Sequence, residues 1–422
     1  MKENKKYMRK CKNIYSKPAA MNMVEDDKKI WMVLLNRNGI CEIDKEKRRA
    51  RICKIFEEES LAEECLYCHV QKVEDRLIFS PARAKKIAVY DLIQDSITYI
   101  PLKKMNRGCK QNQENPKFWN IIRHGTNVYL LGYSYPAIVK INMDSMETTY
   151  ITDWVDEIDK NIKSGNNNGY FGDGYVMIDN LVFIPVGCVN AVLELNLDTD
   201  DVKLRILDIS VNGIGGLSSA DGKNLWIVGK CSKTDRAYCW NRQTENITEY
   251  FLSDEEENKF DSFYAPVCTA SKVFFIPMSA SHIHEFDLDT KKMKKHKILD
   301  KILEDKENPL WPSWKVMCPK LCQNHLIFIS SAELDWYDYD ILNEKIQKYH
   351  IYIHEKANEI KRYFDDVYFN TINKNIKCSE IEIPFEYFMA KVKGNRRESY
   401  TYISNNAVGK HIYEATLYGK LN

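Results

Sequence analysis

The sequence of 422 residues lacks the features that define several large classes of protein. No apolar stretch approaches the roughly 18 residues of a membrane-spanning helix, so the sequence predicts no membrane span. Lys and Arg number 61 against 60 for Asp and Glu, and the net charge of +1 lacks the basic surplus of a dedicated nucleic-acid binder. We therefore expect neither a membrane nor a nucleic acid as a partner.

Signature motifs of common enzymes are also missing. The sequence contains no P-loop, no Rossmann glycine pattern, no HExxH and no G-x-S-x-G. His282 and His284 alternate on one predicted strand and would face the same side, but surface histidines are the simpler interpretation. The sequence therefore predicts no cofactor and no metal, and it identifies no catalytic residue.

Thirteen cysteines, an odd number, are scattered along the chain. Residues 1–17 carry seven Lys or Arg without a following apolar run, so we expect a solvated basic arm and no export signal. Without such a signal, the cysteines are interpreted as free thiols of a cytoplasmic protein. Two close pairs have spacings like those of zinc ligands, but their strand positions favour structural thiols: Cys65 with Cys68, and Cys318 with Cys322.

A four-strand pattern recurs along the chain. The segment 263–299 contains four short apolar or alternating runs separated by turn residues, which predicts four strands. An acidic or amide residue closes the third run of this unit and of six others: Asp44, Asp91, Asn142, Asn196, Asn241, Asp287 and Asp340. These seven residues, which we call the anchors, recur about every 49 residues, and a period of about 40–50 with four strands per repeat indicates a β-propeller.

The repeats predict an all-β fold, a seven-bladed β-propeller of four-stranded antiparallel blades with a small helical C-terminal extension. Six or eight blades are the alternatives, because the N-terminal stretch or the tail would be able to supply or replace a strand. We expect a basic arm at 1–17, the propeller at 18–353 and the helical extension at 354–422. Three amphipathic segments in that extension predict short helices that cap the propeller or dock on a partner.

The longest early insertion covers residues 153–174. Its first part has helical spacing of apolar residues at Trp154, Val155, Ile158 and Ile162. Its second part, SGNNNGYFGDG, is predicted as a flexible loop from its glycine and asparagine content.

The repeat resembles seven-bladed propellers of the YVTN, kelch and quinoprotein-like group over roughly residues 18–353. Kelch repeats would show a recurring Gly-Gly, and here only Gly215-Gly216 occurs. The Gly-His and Trp-Asp pairs of WD40 repeats do not recur, and the tryptophans do not occupy the equivalent positions of a quinoprotein docking motif. The resemblance therefore implies the architecture and no narrower family, and such propellers include binders, scaffolds, lyases and hydrolases.

Aromatic residues recur just before or at the predicted first strands, and the loops after the second strands carry basic residues. In propellers both kinds of segment open on one face around the central channel, where aromatic rings and a few polar groups form ligand sites. The sequence therefore predicts a binding site at the channel mouth, made by Tyr67, Arg83, Trp119, Arg123, Lys230, Tyr264 and Trp314. Stacked rings suit sugars, peptides or flat rings, and Arg or Lys suits an anionic group. The alternative is that the rings only pack blade against blade.

These observations predict a non-catalytic binding or scaffold propeller that recognises a protein, a small molecule or a glycan at the channel mouth. The alternative is an enzyme, a lyase or a glycan-active protein, that uses the same face. His69, Arg123 or His124 would then have acid–base roles. Neither the identity of the ligand nor the oligomeric state follows from the sequence.

Overall fold

The computed structural model describes residues 17–59, 64–105, 116–163, 166, 168–229, 236–252, 263–280, 282–296, 302 and 314–354. These residues contain 28 strands in seven four-stranded antiparallel sheets, and neighbours in each sheet are consecutive in the chain. The sheets are the blades of a propeller ring, which confirms the predicted all-β, seven-bladed fold. The rest of the predicted basic arm and of the C-terminal extension lies outside the described residues.

Each blade is built from four strands that follow one another in the chain. Blades one to four comprise β1 Val24–Glu25, β2 Lys29–Val33, β3 Ile40–Asp44, β4 Arg49–Lys54, β5 Tyr67–Val73, β6 Arg76–Pro81, β7 Lys86–Asp91, β8 Ser96–Pro101, β9 Phe118–His124, β10 Asn127–Gly132, β11 Ile138–Asn142, β12 Thr148–Ile151, β13 Val176–Ile178, β14 Leu181–Val186, β15 Ala191–Asn196 and β16 Val202–Ile206. Blades five to seven comprise β17 Ile214–Ser218, β18 Asn224–Gly229, β19 Arg236–Asn241, β20 Ile247–Phe251, β21 Val267–Cys268, β22 Lys272–Phe275, β23 His284–Asp287, β24 Met293–Lys295, β25 Val316–Cys322, β26 His325–Ser330, β27 Trp336–Asp340 and β28 Lys345–Tyr349.

Burial along the strands follows their distance from the ring axis. Second strands such as β14 and β18 are buried almost throughout, because neighbouring blades cover both of their faces. Outer strands such as β8 alternate between partly buried and exposed residues, because only one face meets a neighbour. The hydrophobic core therefore lies between the blades, as the apolar second runs predict.

The seven anchors all end third strands, as predicted. In every blade the anchor's Oδ1 accepts a hydrogen bond from a backbone N–H two or three residues later, as from Leu342 and Asn343 to Asp340, both at 3.0 Å. The residue four positions after each anchor has a left-handed φ of 50° to 62°. This combination is a tight turn followed by a bulge, and the short Asp or Asn side chain replaces a backbone acceptor there.

The chain segments before β1 and after β28 join blade seven to blade one. Leu35 N–H donates to Ala19 O at 2.8 Å, which starts the inner strand of blade one. After β28, Ile353 forms a parallel bridge with Ala50 of β4, and His354 N–H donates to Ala50 O at 2.8 Å. The outer edge of blade one is therefore covered by chain that follows blade seven.

Asp335 lies buried at this junction and accepts from Lys17, Lys348 and His350. Burial alone would raise the pKa of Asp335, but the three donors more than offset it, and the pKa is lowered. Removing one donor would leave a carboxylate less well compensated where the ring closes.

The predicted helix of the insertion is confirmed as α1, Val155–Asn161. Trp154, just before it, is buried against Tyr170 and Phe171 with ring centroids 4.9 Å and 4.8 Å away. The helix therefore covers the boundary between blades three and four. Within the described residues no helix has the length and apolar character needed to cross a membrane.

Candidate functional site

The direction of the strands gives the ring two different faces. Because strands alternate in direction within each blade, the connections between blades and the loops after second strands share one face. We call it the connection face. The hairpin turns after first and third strands share the opposite one, the turn face. The first strand of each blade is innermost in a propeller and borders the channel.

Each inner strand begins with a buried residue opposite the end of the second strand. We call these the first-rung residues: Ala19, Tyr67, Phe118, Phe171, Ile214, Phe263 and Val316. All are at most 5% exposed. Tyr67 is one of them, and its ring packs against Phe56 and Phe79 with centroids 4.3 Å and 5.3 Å away. Its ring therefore packs between blades and offers no surface to a ligand.

The inner strands are irregular directly after this first rung. In blades two, three, five and seven the pairing register shifts at this point. In blade four the residues 172–175 lie opposite only 184–185, because Phe171 pairs with Val186 and Val176 pairs with Phe183. Bulges re-aim side chains, so the residues after the first rung reach across to neighbouring blades instead of alternating regularly.

A series of hydrogen bonds links consecutive inner strands around the channel. Asn22 of blade one exchanges two bonds with the backbone of Val70 in blade two, at 2.8 Å and 3.0 Å. Cys68 Sγ donates to Phe118 O at 3.0 Å, and Tyr264 OH donates to Val316 O at 2.7 Å. These bonds satisfy backbone groups that the free edge of an inner strand would otherwise leave unpaired.

Asp173 makes the most extensive of these links. Its backbone pairs with blade five through Gly215 O at 2.7 Å and Leu217 N at 3.1 Å. Its Oδ2 accepts from Ala265 N of blade six at 2.8 Å. Burial raises the pKa of Asp173, and the neighbouring N–H donors and the polar groups of Trp119 and Asn120 only partly offset this. Asp173 therefore joins four blades and places a carboxylate in the channel.

Trp119 lies half-buried beside this carboxylate, on the connection face. Its ring is 5.3 Å from that of His69 in blade two and 5.9 Å from that of Tyr133 in the loop after β10. A Cβ at Gly169 would lie 2.5 Å from the Tyr133 ring, so the backbone of the insertion holds that ring in place. The result is a wall of three rings at the mouth of the channel.

His69 is 6% exposed, and its Nδ1 has no hydrogen-bond partner among the described residues. Burial lowers the pKa of His69 to about 4, so the imidazole is neutral near pH 7. It lies two residues after its first-rung residue, as Asn120 and Asp173 do in the next two blades. We call His69, Asn120 and Asp173 the channel arc.

The other four blades carry small or apolar residues at the same position: Met21, Gly216, Ala265 and Cys318. A Cβ at Gly216 would lie 2.6 Å from Ala265 Cα, so the backbones of blades five and six are in direct contact. The polar side of the channel therefore lies on blades two to four, and blades five and six are closely packed at this position.

The other predicted site residues lie on the connection face, on the turn face or between blades. Arg83 is exposed on the connection face, and Trp314 is half-buried there. Tyr264 is buried, and its hydroxyl is used by Val316 O, so it packs between blades as Tyr67 does. Arg123 is exposed at the far end of β9 and bonds Gly125 O and Lys72 O, which places it on the turn face.

His124 ends the same strand and lies with Arg123, away from the channel mouth. Lys230 lies outside the described residues. Of the predicted site, the structure therefore brings together Trp119, Arg83 and Trp314 on one face. The structure adds Tyr133 and the channel arc to this candidate site.

Asn120 and Asp173 were not among the predicted site residues. The segment around Asp173 was predicted to be flexible from its glycines, but those glycines are needed for close approach. A Cβ at Gly172 would lie 2.5 Å from Ile214 O, and one at Gly174 would lie 2.5 Å from Ala265 Cβ. An acidic residue between two glycines was the available signal, since glycine also marks close approach of backbones.

The cysteines of this region are not suited to nucleophilic chemistry. Burial raises the pKa of Cys68 and of Cys318 to about 12, so both stay protonated at neutral pH. Across the part of the chain that the structure describes, no three His, Cys, Asp or Glu side chains are grouped so as to hold a metal ion.

No protein-family model matches this chain, and no curated protein matches it. Solved structures are similar in fold. The extracellular domain of a one-component system from B. thetaiotaomicron matches with a TM-score of 0.50 at 10% identity, over 81% of this chain and 47% of that one. The extracellular domain of a hybrid two-component system from the same source matches with a TM-score of 0.49 at 12% identity, over 76% of this chain and 38% of that one.

This chain therefore spans less than half the length of these two domains. At 10% identity, the first of these similarities supports the propeller fold alone. It does not assign the chain to the YVTN, kelch or quinoprotein-like families.

Proposed function

We propose that this propeller binds a ligand or a protein partner at the connection-face mouth of its channel, without catalysing a reaction. The observation that carries the proposal is the half-buried indole of Trp119 between His69 and Tyr133. An accessible ring beside a few fixed polar groups is typical of ligand sites. Loops held on a rigid ring are also where binding residues concentrate.

The proposed site combines this wall of rings with neighbouring residues of the connection face. Arg83 contributes an exposed charge, and Lys117 Nζ is held near it by a bond to Arg83 O at 3.0 Å. Trp314 would extend the surface on the side of blade seven. A glycan, a peptide or a flat ring would stack on Trp119, and the candidate partners are therefore a protein, a small molecule or a glycan.

The test begins with an unbiased screen of metabolites, glycans and peptide libraries against the full chain. For each hit, the dissociation constant is then measured by calorimetry for the natural protein and for Trp119→Ala. We expect the variant to lose about 1–3 kcal/mol of affinity, as for a lost stacking contact, while its circular dichroism stays unchanged. Trp314→Ala measures how far the site extends.

Arg123→Ala is the matched control, because Arg123 is exposed on the turn face of the same blade. It is expected to bind each hit as the natural protein does. Hits that bind a folded Trp119→Ala variant with unchanged affinity would show that the channel mouth is not the binding site.

A second candidate function is an enzyme that uses the same residues. The observation that favours it is that His69 and Asp173, both near Trp119, have pKa values displaced by burial in opposite directions. Displaced values on neighbouring acid and base groups occur at catalytic sites. Turnover assays on each hit, with His69→Gln as the variant, would separate this candidate from simple binding.

A cytoplasmic location is also part of the proposal. Six cysteines of the described residues carry free thiols, which agrees with a reducing compartment: Cys53, Cys68, Cys239, Cys268, Cys318 and Cys322. Thiol labelling of the protein isolated from its native cells under denaturing conditions would test this. Recovery of oxidised cysteines would contradict it.

A further inference from the structure

The charge of the channel arc limits what can bind next to it. Asp173 is half-buried and accepts from the N–H of Ala265 at 2.8 Å. No lysine, arginine or histidine of the described residues forms an ion pair with it. Its other neighbours, Gly174, Trp119 and Asn120, are neutral. Among the described residues the carboxylate is therefore held by dipoles alone, without a cation to compensate its charge, and burial raises its pKa.

The rest of the arc offers acceptors and a π surface. His69 is neutral, more than nine-tenths buried, and its Nδ1 has no partner among the described residues. A neutral imidazole nitrogen without a proton accepts a hydrogen bond. Trp119 and Tyr133 supply aromatic faces, which attract cations.

We infer that the channel arc binds a protonated amine, held by the Asp173 carboxylate, the His69 imidazole and the Trp119 ring. This inference rests on the proposed function and adds the sign of the ligand's charge. It reverses the expectation of an anionic group, which was based on the predicted basic residues. Of these, Arg83 lies on the connection face, Arg123 lies on the turn face, and neither forms an ion pair with Asp173.

Electrostatics favour an amine over a neutral sugar for this position. A charge held partly away from water is costly unless it is paired, and the partners of Asp173 among the described residues are all neutral. An ammonium group within about 4–6 Å would compensate that charge, and the cation–π contact would add to it. An anion in the same place would meet the like charge of Asp173.

The experiment compares three probes that differ in one side chain. N-acetyl-lysine methylamide carries the ammonium group, N-acetyl-norleucine methylamide has the same alkyl chain without it, and N-acetyl-glutamate methylamide carries the opposite charge. Binding to the full chain is followed through the indole N–H signal of Trp119 in a protein with ¹⁵N-labelled tryptophan. The signal is assigned with Trp119→Phe. The free diamine 1,5-diaminopentane is the fourth probe, and comparing it with the lysine probe shows whether a small amine or a peptide side chain is the better source of the amine.

We expect the lysine probe or the diamine to shift the Trp119 signal at concentrations at least tenfold lower than the norleucine probe, and the glutamate probe to give no shift. Asp173→Asn should weaken amine binding at least tenfold. Asp208→Asn is the matched control, because Asp208 is an exposed acid on the same face in the connection between blades four and five. It should leave binding unchanged.

Equal binding of the norleucine probe, or a shift with the glutamate probe, would overturn the inference. So would the absence of any shift with both amines. None of these results would overturn the proposed function if a hit of the broad screen still depended on Trp119. If Asp173→Asn fails to fold, the comparison of probes on the natural protein decides the question by itself.

Discussion

The two sides of the channel use the same strand position in opposite ways. On blades two to four, the position two residues after the first rung carries His69, Asn120 and Asp173, whose side chains reach neighbouring strands or rings. On blades five and six it carries Gly216 and Ala265, whose backbones lie in contact. The ring therefore closes by direct packing on one side and by polar side chains on the other.

This difference shows how a repeated architecture acquires a local site. The strands, turns and interblade cores of all blades are alike, because each must bury the same kind of surface. Only a few positions at the channel do not have to bury this surface. Where they carry polar groups, the buried donors and acceptors must be satisfied by neighbours or by a ligand.

The closely packed side should respond most strongly to added volume. At Gly216 a methyl group would lie 2.6 Å from Ala265 Cα, and backbone atoms have little freedom to move away. We expect Gly216→Ala to lower the free energy of unfolding by about 3 kcal/mol, measured by urea denaturation. Gly125→Ala is the control, because Gly125 has a left-handed φ of 59° with no atom within 4 Å of the added Cβ, and it should cost about 1 kcal/mol. Equal losses in the two variants would contradict the close contact.

The polar side should respond to acid through His69. Its pKa is lowered in the folded protein, so the unfolded chain binds the proton more readily. This lowered pKa contributes stability that is fully present above the ordinary pKa of 6.5. The contribution, up to about 3 kcal/mol, is lost as the pH falls towards about 4. His69→Phe should therefore flatten the fall in unfolding free energy between these pH values.

His325→Phe is the control for this titration. His325 is exposed beside Asp338, and the hydrogen bond to that carboxylate raises its pKa. Its contribution is present at low pH and is lost as the pH rises, so replacing it should not flatten the acid limb. A stability curve for His69→Phe that is parallel to that of the natural protein would show that His69 is not buried in solution.

Removing the carboxylate that joins the two sides should have an intermediate effect. Asp173→Ala leaves the N–H of Ala265 without its acceptor, and an unsatisfied buried donor costs about 1–3 kcal/mol. Chemical denaturation should show a loss of that size. The exposed Asp208→Ala should change stability by less than about 0.5 kcal/mol. Hydrogen exchange at Ala265 that is no faster in Asp173→Ala would argue against the link.

The smallest effect is expected on the turn face. Arg123 is exposed and bonds only to backbone oxygens of Gly125 and Lys72. Arg123→Gln should change the unfolding free energy by less than about 0.5 kcal/mol and should leave ligand affinity unaltered. A loss of ligand affinity in this variant, measured by calorimetry, would place the binding site on the turn face.

Much of the fold was predictable because it depends on local patterns. The anchors are the clearest case, since Asp or Asn side chains cap a tight turn through bonds to residues two or three positions away. Helix α1 was predictable from the spacing of Trp154, Val155 and Ile158. The aromatic residues were predictable as a recurring group. Their pairing register was not, so Tyr67 and Tyr264 were expected at the mouth although both are buried between blades.

The sequence by itself determined the order of the strands and the turns, because each repeat contains its own apolar runs and turn residues. It predicted seven blades but left six or eight as alternatives, because the terminal segments would be able to supply or replace a strand. Only the tertiary structure decided on which face of the ring each side chain lies, because a bulge of one or two residues changes the direction in which the following side chains point. It also decided that Asp173, in a glycine-rich segment, reaches a blade more than 90 positions further along the chain. Contacts over that distance depend on the closed ring, and no local pattern of residues encodes them.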